Sequence, residues 1–222
     1  MGIRAAKVLA IACVCALMGA RAEAGQATVG GVSISLPAPA GFCELERSNR
    51  SDKIILDLTG KTIGEKDLLA MSADCRQLAD WRAHRRKYVD DFTSYAVARS
   101  HPAADQLKNV CAAMRTSGAR LVASNEAKTK ADLEAAFGKL KFNDSFMGFL
   151  GDGPNACYAA QLQKMERDGA PIGQIVITAV VAVKAKLLFA YHITPYVNAG
   201  TMQNAFVRHK ATIAALLAAN GG

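Results

Sequence analysis

The stretch that decides the fold covers residues 157–195 and reads CYAAQLQKMERDGAPIGQIVITAVVAVKAKLLFAYHITP. Apolar and polar residues alternate over 157–163, which is typical of a half-buried strand. Residues 174–183 are apolar at odd and even positions alike, which predicts a central strand covered on both faces. A third strand is predicted over 187–193, with apolar residues at its odd positions, and Pro195 ends it. The stretch therefore predicts a three-strand meander.

The rest of the chain adds strands and helices around this meander. Residues 27–36 alternate in polarity on either side of Gly30-Gly31, which predicts a hairpin. The other predicted elements are a helix over 52–60 capped by Ser51 or Asp52, a strand over 67–73, a helical turn over 75–82, a strand within 88–98, helices over 103–114 and 129–140, a turn over 151–155, and a last helix from Thr201 as N-cap to about Ala219. The predicted apolar stripe of the last helix holds Met202, Phe206, Ile213, Leu217 and Asn220. This order indicates an α+β domain with a largely antiparallel sheet flanked by helices.

The first 24 residues have the pattern of a secretory signal peptide. Arg4 and Lys7 precede an apolar run over residues 8–18, which is too short to cross a bilayer. Small residues favour cleavage after Ala24, with Ala22 as the alternative site. An uncleaved membrane anchor and a lipoprotein acylated at Cys13 are the other interpretations. We expect a periplasmic or secreted protein with a single domain over residues 25–222 and no membrane span after cleavage.

The cysteines that follow the signal peptide are even in number. Cys43, Cys75, Cys111 and Cys157 in an exported chain predict two disulfides. Of the three possible pairings, we expect Cys43 with Cys75 and Cys111 with Cys157, because these close the shortest loops. None of the four lies in a Cys-x-x-Cys motif, and no cysteine–histidine spacing suits zinc. Structural cross-links are therefore favoured over redox or metal chemistry.

The chain is basic. Without residues 1–24 it keeps 24 basic and 18 acidic residues, so the net charge falls from +8 to +6. The basic residues are scattered, and a solvated surface is the plain interpretation. One cluster predicts a patch that binds an anionic component of the cell envelope, because an aromatic ring beside guanidinium groups can hold an anion: Trp81, Arg82, Arg85, Arg86 and Lys87. The cluster has too few aromatic residues for a nucleic-acid platform.

No motif in the sequence predicts a catalytic residue, a metal site or a cofactor. The histidines His84, His101, His192 and His209 lack metal-ligand spacing. His209 is expected at the edge of the last helix's apolar stripe, partly buried, and the acidic pair Asp90-Asp91 is expected to be solvated. There is no Gly-x-Ser-x-Gly elbow, Walker loop or Gly-x-Gly-x-x-Gly fingerprint.

The order of elements resembles that of PsbP-like proteins, the photosystem II extrinsic proteins and their bacterial relatives. The resemblance is carried by the hairpin that runs into Leu36-Pro37-Ala38-Pro39-Ala40-Gly41-Phe42, by the meander over residues 157–193 and by the last helix. It covers about half of the chain and implies an α/β/α sandwich on an antiparallel sheet. The composition also resembles that of exported proteins of Gram-negative bacteria. Both resemblances imply a binding or accessory role and assign no functional residue.

The sequence thus predicts a non-enzymatic periplasmic binding or accessory protein of the cell envelope. A secreted enzyme with an unrecognised active site is the alternative, and a structural partner of an envelope complex is a third interpretation. An enzyme needs a deep pocket with convergent polar groups of perturbed pKa. A binding factor needs an exposed apolar or basic patch, on which a protein or an anionic component of the envelope would dock.

Overall fold

The computed structural model describes residues 25–137 and 142–222 of the chain. The elements in this part are β1 (Gly25–Val29), β2 (Val32–Leu36), β3 (Phe42–Glu44), α1 (Arg50–Thr62), β4 (Lys66–Asp74), α2 (Cys75–Arg82), β5 (Phe92–Ala98), a 3-10 turn (Ala104–Gln106), α3 (Leu107–Phe137), β6 (Phe142–Asp152), β7 (Ala156–Arg167), β8 (Ala170–Val183), β9 (Lys186–Pro195) and α4 (Ala199–Ala218). The signal peptide predicted over 1–24 and the end of the helix predicted over 129–140 lie outside the described residues.

Seven of these strands form one antiparallel sheet in the order β3-β4-β5-β9-β8-β7-β6. The predicted meander is β7, β8 and β9, and both β8 and β9 are interior strands. Because β9 also pairs with β5, it joins the meander to the earlier strands. The predicted α+β fold with a largely antiparallel sheet is confirmed for the described part.

The β1–β2 hairpin and α4 cover one face of this sheet, which we call the α4 face. Val29 and Ile34 of the hairpin pack with Ile213 of α4 and Val181 of β8 in one buried cluster. The odd-numbered residues of β8 point to this face, and Ile177 lies under Ala205 of α4. Burial of these apolar side chains is the main stabilising term on this face.

The hairpin is closed at both of its ends. Gly30 and Gly31 make its turn with φ of 52° and 81°, a conformation that glycine adopts without strain. At the other end, the Asn220 side chain accepts a hydrogen bond from the Ser35 backbone at 2.9 Å and donates one to it at 2.8 Å. The hairpin is thereby joined to the residues just after α4.

Helices α1, α2 and α3 lie on the opposite face, which we call the α3 face. Leu56 of α1 and Leu78 of α2 pack on Met71 of β4. Leu107 of α3 packs on Val180 of β8, an even-numbered residue that points away from α4. Helices therefore flank the sheet on both sides.

Two elements differ from the sequence-based expectations. Residues 107–114 and 129–137 of the two predicted helices belong to one helix, α3, because no proline interrupts residues 115–128 and the helix accommodates Gly118. Strand β6 was not predicted. Register shifts at 146/148 and 149/151, with Gly148 and Gly151 at positive φ, break its period-two pattern and hide it in the sequence.

The helix N-caps also differ from the predictions. Asn49 caps α1 in place of Ser51 or Asp52, because its side chain accepts hydrogen bonds from both of their backbone amides. Asn198 caps α4 in place of Thr201. The buried stripe of α4 is shifted from the predicted one and contains Ala205, His209, Thr212, Ile213 and Leu216.

Candidate ligand-binding cleft

An open cleft of about 1540 Å³ lies on the α3 face, between α1 and α3. Seven strands spaced about 4.8 Å apart make a sheet wider than two helices of about 10 Å diameter cover. Helix α1 packs over β4 and α3 packs near β6 and β7, so the two helices contact each other but leave a space over the middle of the sheet. The cleft is larger than a typical small-molecule site of roughly 300–1,000 Å³.

The walls of the cleft are apolar. On the α1 side they include Ile55 and Leu58, and on the α3 side Met114 and Val122. At one end of the floor, Val180 and Phe189 pair across β8 and β9. We call this the apolar end of the cleft.

Three hydroxyl side chains lie side by side across the middle of the floor. Thr178 pairs with Tyr191 in the strand register, and Tyr191 pairs with Ser94. All three line the cleft, and within the described part none of these hydroxyls forms a hydrogen bond. Burial raises the pKa of the Tyr191 phenol, so its hydroxyl keeps its proton and can donate.

The other end of the floor carries three glutamines and a carboxylate, and we call it the amide end. Asp144, Gln163 and Gln174 form one row across β6, β7 and β8, and Gln161 is two residues from Gln163 on the same face. Val180 lies six positions after Gln174 on β8, at a distance of about 20 Å along the strand. The cleft is therefore polar at one end and apolar at the other.

Asp144 has an unusual environment within this end. The amides of Gln161 and Gln163 donate to its Oδ2 at 3.1 and 3.5 Å, while its Oδ1 is buried and has no hydrogen-bond partner among the described residues. Desolvation, with a smaller contribution from nearby Glu126, raises the pKa of Asp144 to about 6. The carboxyl is consequently partly protonated near neutral pH.

The mouth of the cleft exposes large apolar side chains and holds paired charges. Ile54 of α1 and Leu121 of α3 are 59% and 46% exposed. At the amide end, the Arg167 guanidinium lies 4.3 Å from the centre of the Tyr88 ring and pairs with Asp90 at 2.5 Å. Apolar side chains on the lips of an apolar cleft are typical of a surface that binds something.

The predicted anion-binding residues are dispersed, and each contacts a group within the chain. The Trp81 indole donates to the Ser51 carbonyl at 3.2 Å. The carboxylate partners, with their distances, are Asp52 for Arg82 (2.5 Å), Asp80 for Arg85 (2.7 Å), Asp90 for Arg86 (2.6 Å) and Asp168 for Lys87 (3.5 Å). Trp81 and Lys87 also line the cleft, at its mouth. The anion patch stays a prediction, with its cations already neutralised in pairs.

Both predicted disulfides are present with the predicted pairing. Cys43–Cys75 joins β3 to the start of α2, and Cys111–Cys157 joins α3 to β7. The second bridge fixes the first part of α3 to the sheet at the apolar end of the cleft. Two disulfides indicate an oxidising compartment outside the cytoplasm.

A second group of polar residues lies on the α4 face. His192 Nε2 lies 2.9 Å from Asp91, which also pairs with Arg208 at 3.3 Å, and His192 Nδ1 lies 3.3 Å from the Ala205 carbonyl. Asp90 is 8% exposed and Asp91 is ion-paired, so the prediction that this pair is simply solvated is wrong. The reason is that Arg86 and Arg167 pair with Asp90, while Arg208 pairs with Asp91.

His209 lies next to this group and is fully buried, where the sequence predicted partial burial. Among the described residues, neither of its ring nitrogens has a partner in full hydrogen-bond geometry, although the Ala190 backbone lies close by. Burial, followed by the neighbouring His192, lowers the pKa of His209 to about 3, and the Ala190 backbone offsets only part of this. His209 is therefore a neutral core residue.

Comparison of the chain with protein-family models and with curated proteins finds no match. Among the residues described, no helix is long and apolar enough to span a membrane. The same residues contain no group of three or more histidine, cysteine or acidic side chains placed to hold a metal ion.

The sequence interpretation did not identify the cleft. Its floor gave one signal, the polar residues Gln161, Gln163, Gln174 and Thr178 at alternate positions of strongly apolar strands. On a strand that is buried on both faces, such residues need partners, and those partners are missing where α1 and α3 leave the sheet uncovered.

Proposed function

We propose that this chain is a non-enzymatic periplasmic binding protein that holds an apolar or amphiphilic small molecule in the cleft. The observation that carries the proposal is the cleft itself, with apolar walls of α1 and α3 and exposed Ile54 and Leu121 at its mouth. A simple packing defect would not explain why large apolar side chains are also exposed to solvent at the mouth of the cleft.

The proposal includes export. The two disulfides support an oxidising compartment, and a signal peptide cleaved after Ala24 would deliver the chain there. The PsbP-like relationship and an accessory role at the envelope remain predictions alongside it. Intact mass spectrometry of protein from a periplasmic extract tests export, and the expected mass begins at Gly25 with no cysteine open to alkylation before reduction. A full-length mass with free thiols would contradict export.

The binding function is tested with N-phenyl-1-naphthylamine, a neutral apolar fluorophore, on the oxidised protein of residues 25–222. We expect enhanced fluorescence that 1-dodecanol displaces. Thr178→Trp fills the floor of the cleft and should abolish this binding. The matched control is Thr116→Trp, because Thr116 is exposed on α3 and does not line the cleft.

Absence of probe binding to the native protein would refute the proposal. So would equal probe binding by native protein and a folded Thr178→Trp variant. Far-ultraviolet circular dichroism of each variant establishes that it is folded.

A second candidate, a secreted enzyme, is favoured by one observation, the raised pKa of Asp144 in the cleft. A carboxyl with pKa about 6 suits a general acid. If it acts so, turnover of a bound ligand would fall as pH rises through about 6, and Asp144→Asn would abolish turnover while leaving probe binding intact. Unchanged turnover in that variant would exclude Asp144 as the acid.

A further inference from the structure

Gln174 is a largely buried residue whose side-chain amide opens into the cleft. It lines the cleft from β8, only 8% of the residue is exposed, and its side chain forms no hydrogen bond within the described part. Its amide atoms are not among the fully buried polar atoms of that part, so they can bond water or a ligand in the cleft. The amide therefore has hydrogen-bonding capacity for a group that is not part of this chain.

The neighbours of Gln174 leave further hydrogen-bonding capacity on the same side. Gln163 is directly across from it, and Gln161 is one row along. Each of these two uses an amide nitrogen on Asp144, and neither Oε1 accepts a hydrogen bond from a described residue. Together with the Gln174 amide, they offer both donors and acceptors within one patch.

The charges around this patch do not suit an ionic ligand group. Arg167 pairs with Asp90 and stacks on Tyr88, and Lys87 lies 3.5 Å from Asp168. An anionic group would also approach the carboxyl of Asp144, while a cationic group would meet the amide nitrogens of the glutamines. An uncharged group that both donates and accepts matches what the side chains present.

The distance from Gln174 to the apolar end of the cleft indicates how long the apolar part of the ligand is. About 20 Å of floor runs from Gln174 past the hydroxyl row of Tyr191 to Val180 and Phe189. An extended hydrocarbon chain fits the apolar walls over this length. At the far end the Lys66 amine lies 5.0 Å from the centre of the Phe189 ring.

We propose that the amide end of the cleft binds the uncharged, polyhydroxylated head of an amphiphile, with Gln161, Gln163 and Gln174 as its hydrogen-bonding residues and the hydrocarbon chain toward Val180 and Phe189. The proposal rests on the ligand-binding function proposed above. It adds the chemical class of the head and its orientation in the cleft.

Three amphiphiles with the same dodecyl chain test the head directly. Dodecyl maltoside, dodecyl sulfate and dodecyltrimethylammonium are titrated below their critical micelle concentrations, by displacement of N-phenyl-1-naphthylamine. We expect dodecyl maltoside to bind about tenfold more tightly than either charged amphiphile, as a few net hydrogen bonds would give.

Gln174→Leu tests the orientation. It removes the amide at similar volume and should weaken dodecyl maltoside binding by roughly three- to tenfold relative to binding of N-phenyl-1-naphthylamine by the same variant. The matched control is Gln203→Leu on the exposed side of α4, which should leave both affinities unchanged. Gln163→Leu is a second variant with the same expected direction.

The outcomes separate the two proposals. Equal affinities for the three amphiphiles, or a preference for a charged head, would overturn the inference while probe binding upheld the binding function. Unchanged maltoside affinity in both glutamine variants would overturn the assigned orientation. No probe binding at all would refute the binding function itself.

Discussion

Ile177 and Val176 are neighbours on β8, yet they meet different surroundings. Ile177 lies on the α4 face, fully buried under Ala205, whereas Val176 lies on the floor of the open cleft. The polar groups differ in the same way. On the α4 face, the Ser72 and Thr93 hydroxyls bond to each other at 2.8 Å, while the Gln174 side chain on the cleft floor bonds to no residue of the described ranges.

The contrast between the two faces separates structural from functional polar residues on one sheet. A polar group that is satisfied by its own chain serves the fold. Unsatisfied polar groups grouped around a space are placed for an external partner. His209 departs from this rule. It lies on the closed α4 face, and within the described part its ring nitrogens have no hydrogen-bond partner.

The largest expected effect comes from the disulfides. Replacing Cys111 and Cys157 by alanine opens a loop with a sequence separation of 46, and replacing Cys43 and Cys75 opens one of 32. Each pair should lower the free energy of unfolding by about 4 kcal/mol in the chain-entropy model, measured by urea denaturation. Only the first pair should also weaken binding of N-phenyl-1-naphthylamine, because only that bridge anchors a wall of the cleft. Equal effects of the two pairs on binding would contradict the assignment of Cys111–Cys157 as the bridge that anchors the cleft.

A matched pair of isoleucines measures the two faces directly. Ile177→Ala on the α4 face should cost about 3 kcal/mol of unfolding free energy, because it leaves a cavity that neighbouring side chains cannot fill. Ile193→Ala on the cleft floor should cost about 1 kcal/mol, because it only enlarges a space that is already open. Urea denaturation of the two variants gives both values. Equal losses would mean that the cleft face is packed as tightly as the α4 face.

His209→Leu should remove part of the protein's acid sensitivity. The pKa of His209 is about 3 in the folded state and about 6.5 when unfolded, so protonation favours the unfolded chain as pH falls below about 6.5. The native protein should therefore lose about 2 kcal/mol more than the variant between pH 7.5 and pH 5.

The control for this measurement is His84→Asn, because His84 is exposed at φ of 55° and asparagine tolerates that conformation. It should keep the native pH dependence. Urea midpoints at the two pH values measure the loss of stability in each protein. An equal loss in the native protein and in His209→Leu would show that His209 is charged or hydrated in the fold.

The smallest effect is expected at Asp144, on the other face. Its pKa of about 6 exceeds the unfolded value of about 3.9, so the unfolded chain ionises first as pH rises and the fold loses stability between about pH 4 and pH 6. Asp144→Asn should gain roughly 1 kcal/mol at pH 8, after discounting for solvent screening at this partly exposed site, and nothing at pH 4. Urea midpoints at both pH values measure it. A loss of stability at pH 8 would show that the carboxylate is favourably bonded.

How far the sequence predicted the fold depends on how regular each element is. The meander and the hairpin were visible because their side chains alternate, and the disulfide pairing followed from loop length. Strand β6 was missed because its bulges at Gly148 and Gly151 shift the pattern twice. The join of two predicted helices into α3 was missed because Thr116, Ser117 and Gly118 in its middle are poor helix formers.

The candidate site could not be predicted from the sequence, for a different reason. The cleft exists because α1 and α3 pack over opposite halves of the sheet, and this spacing is a tertiary property. Gln161, Gln163 and Gln174 were visible as polar positions in apolar strands, but the row that joins Gln163 to Gln174 and Asp144 depends on strand register. The five residues of the predicted anion patch are close together in the sequence, but in the fold each has its own carbonyl or carboxylate partner. They are Trp81, Arg82, Arg85, Arg86 and Lys87.

The two hydrogen bonds between Asn220 and the Ser35 backbone set an order of assembly. They connect residues 185 positions apart. Contacts of such separation form late, because the intervening chain must be ordered before they are reached. The hairpin and the residue after it are also held by earlier parts of the chain, since the Tyr95 hydroxyl donates to the Pro37 carbonyl and the Lys184 amine donates to the Ser33 carbonyl, both at 2.9 Å. A chain that crosses a membrane N-terminus first would reach these partners before Asn220, so the bonds of Asn220 complete the attachment of the hairpin.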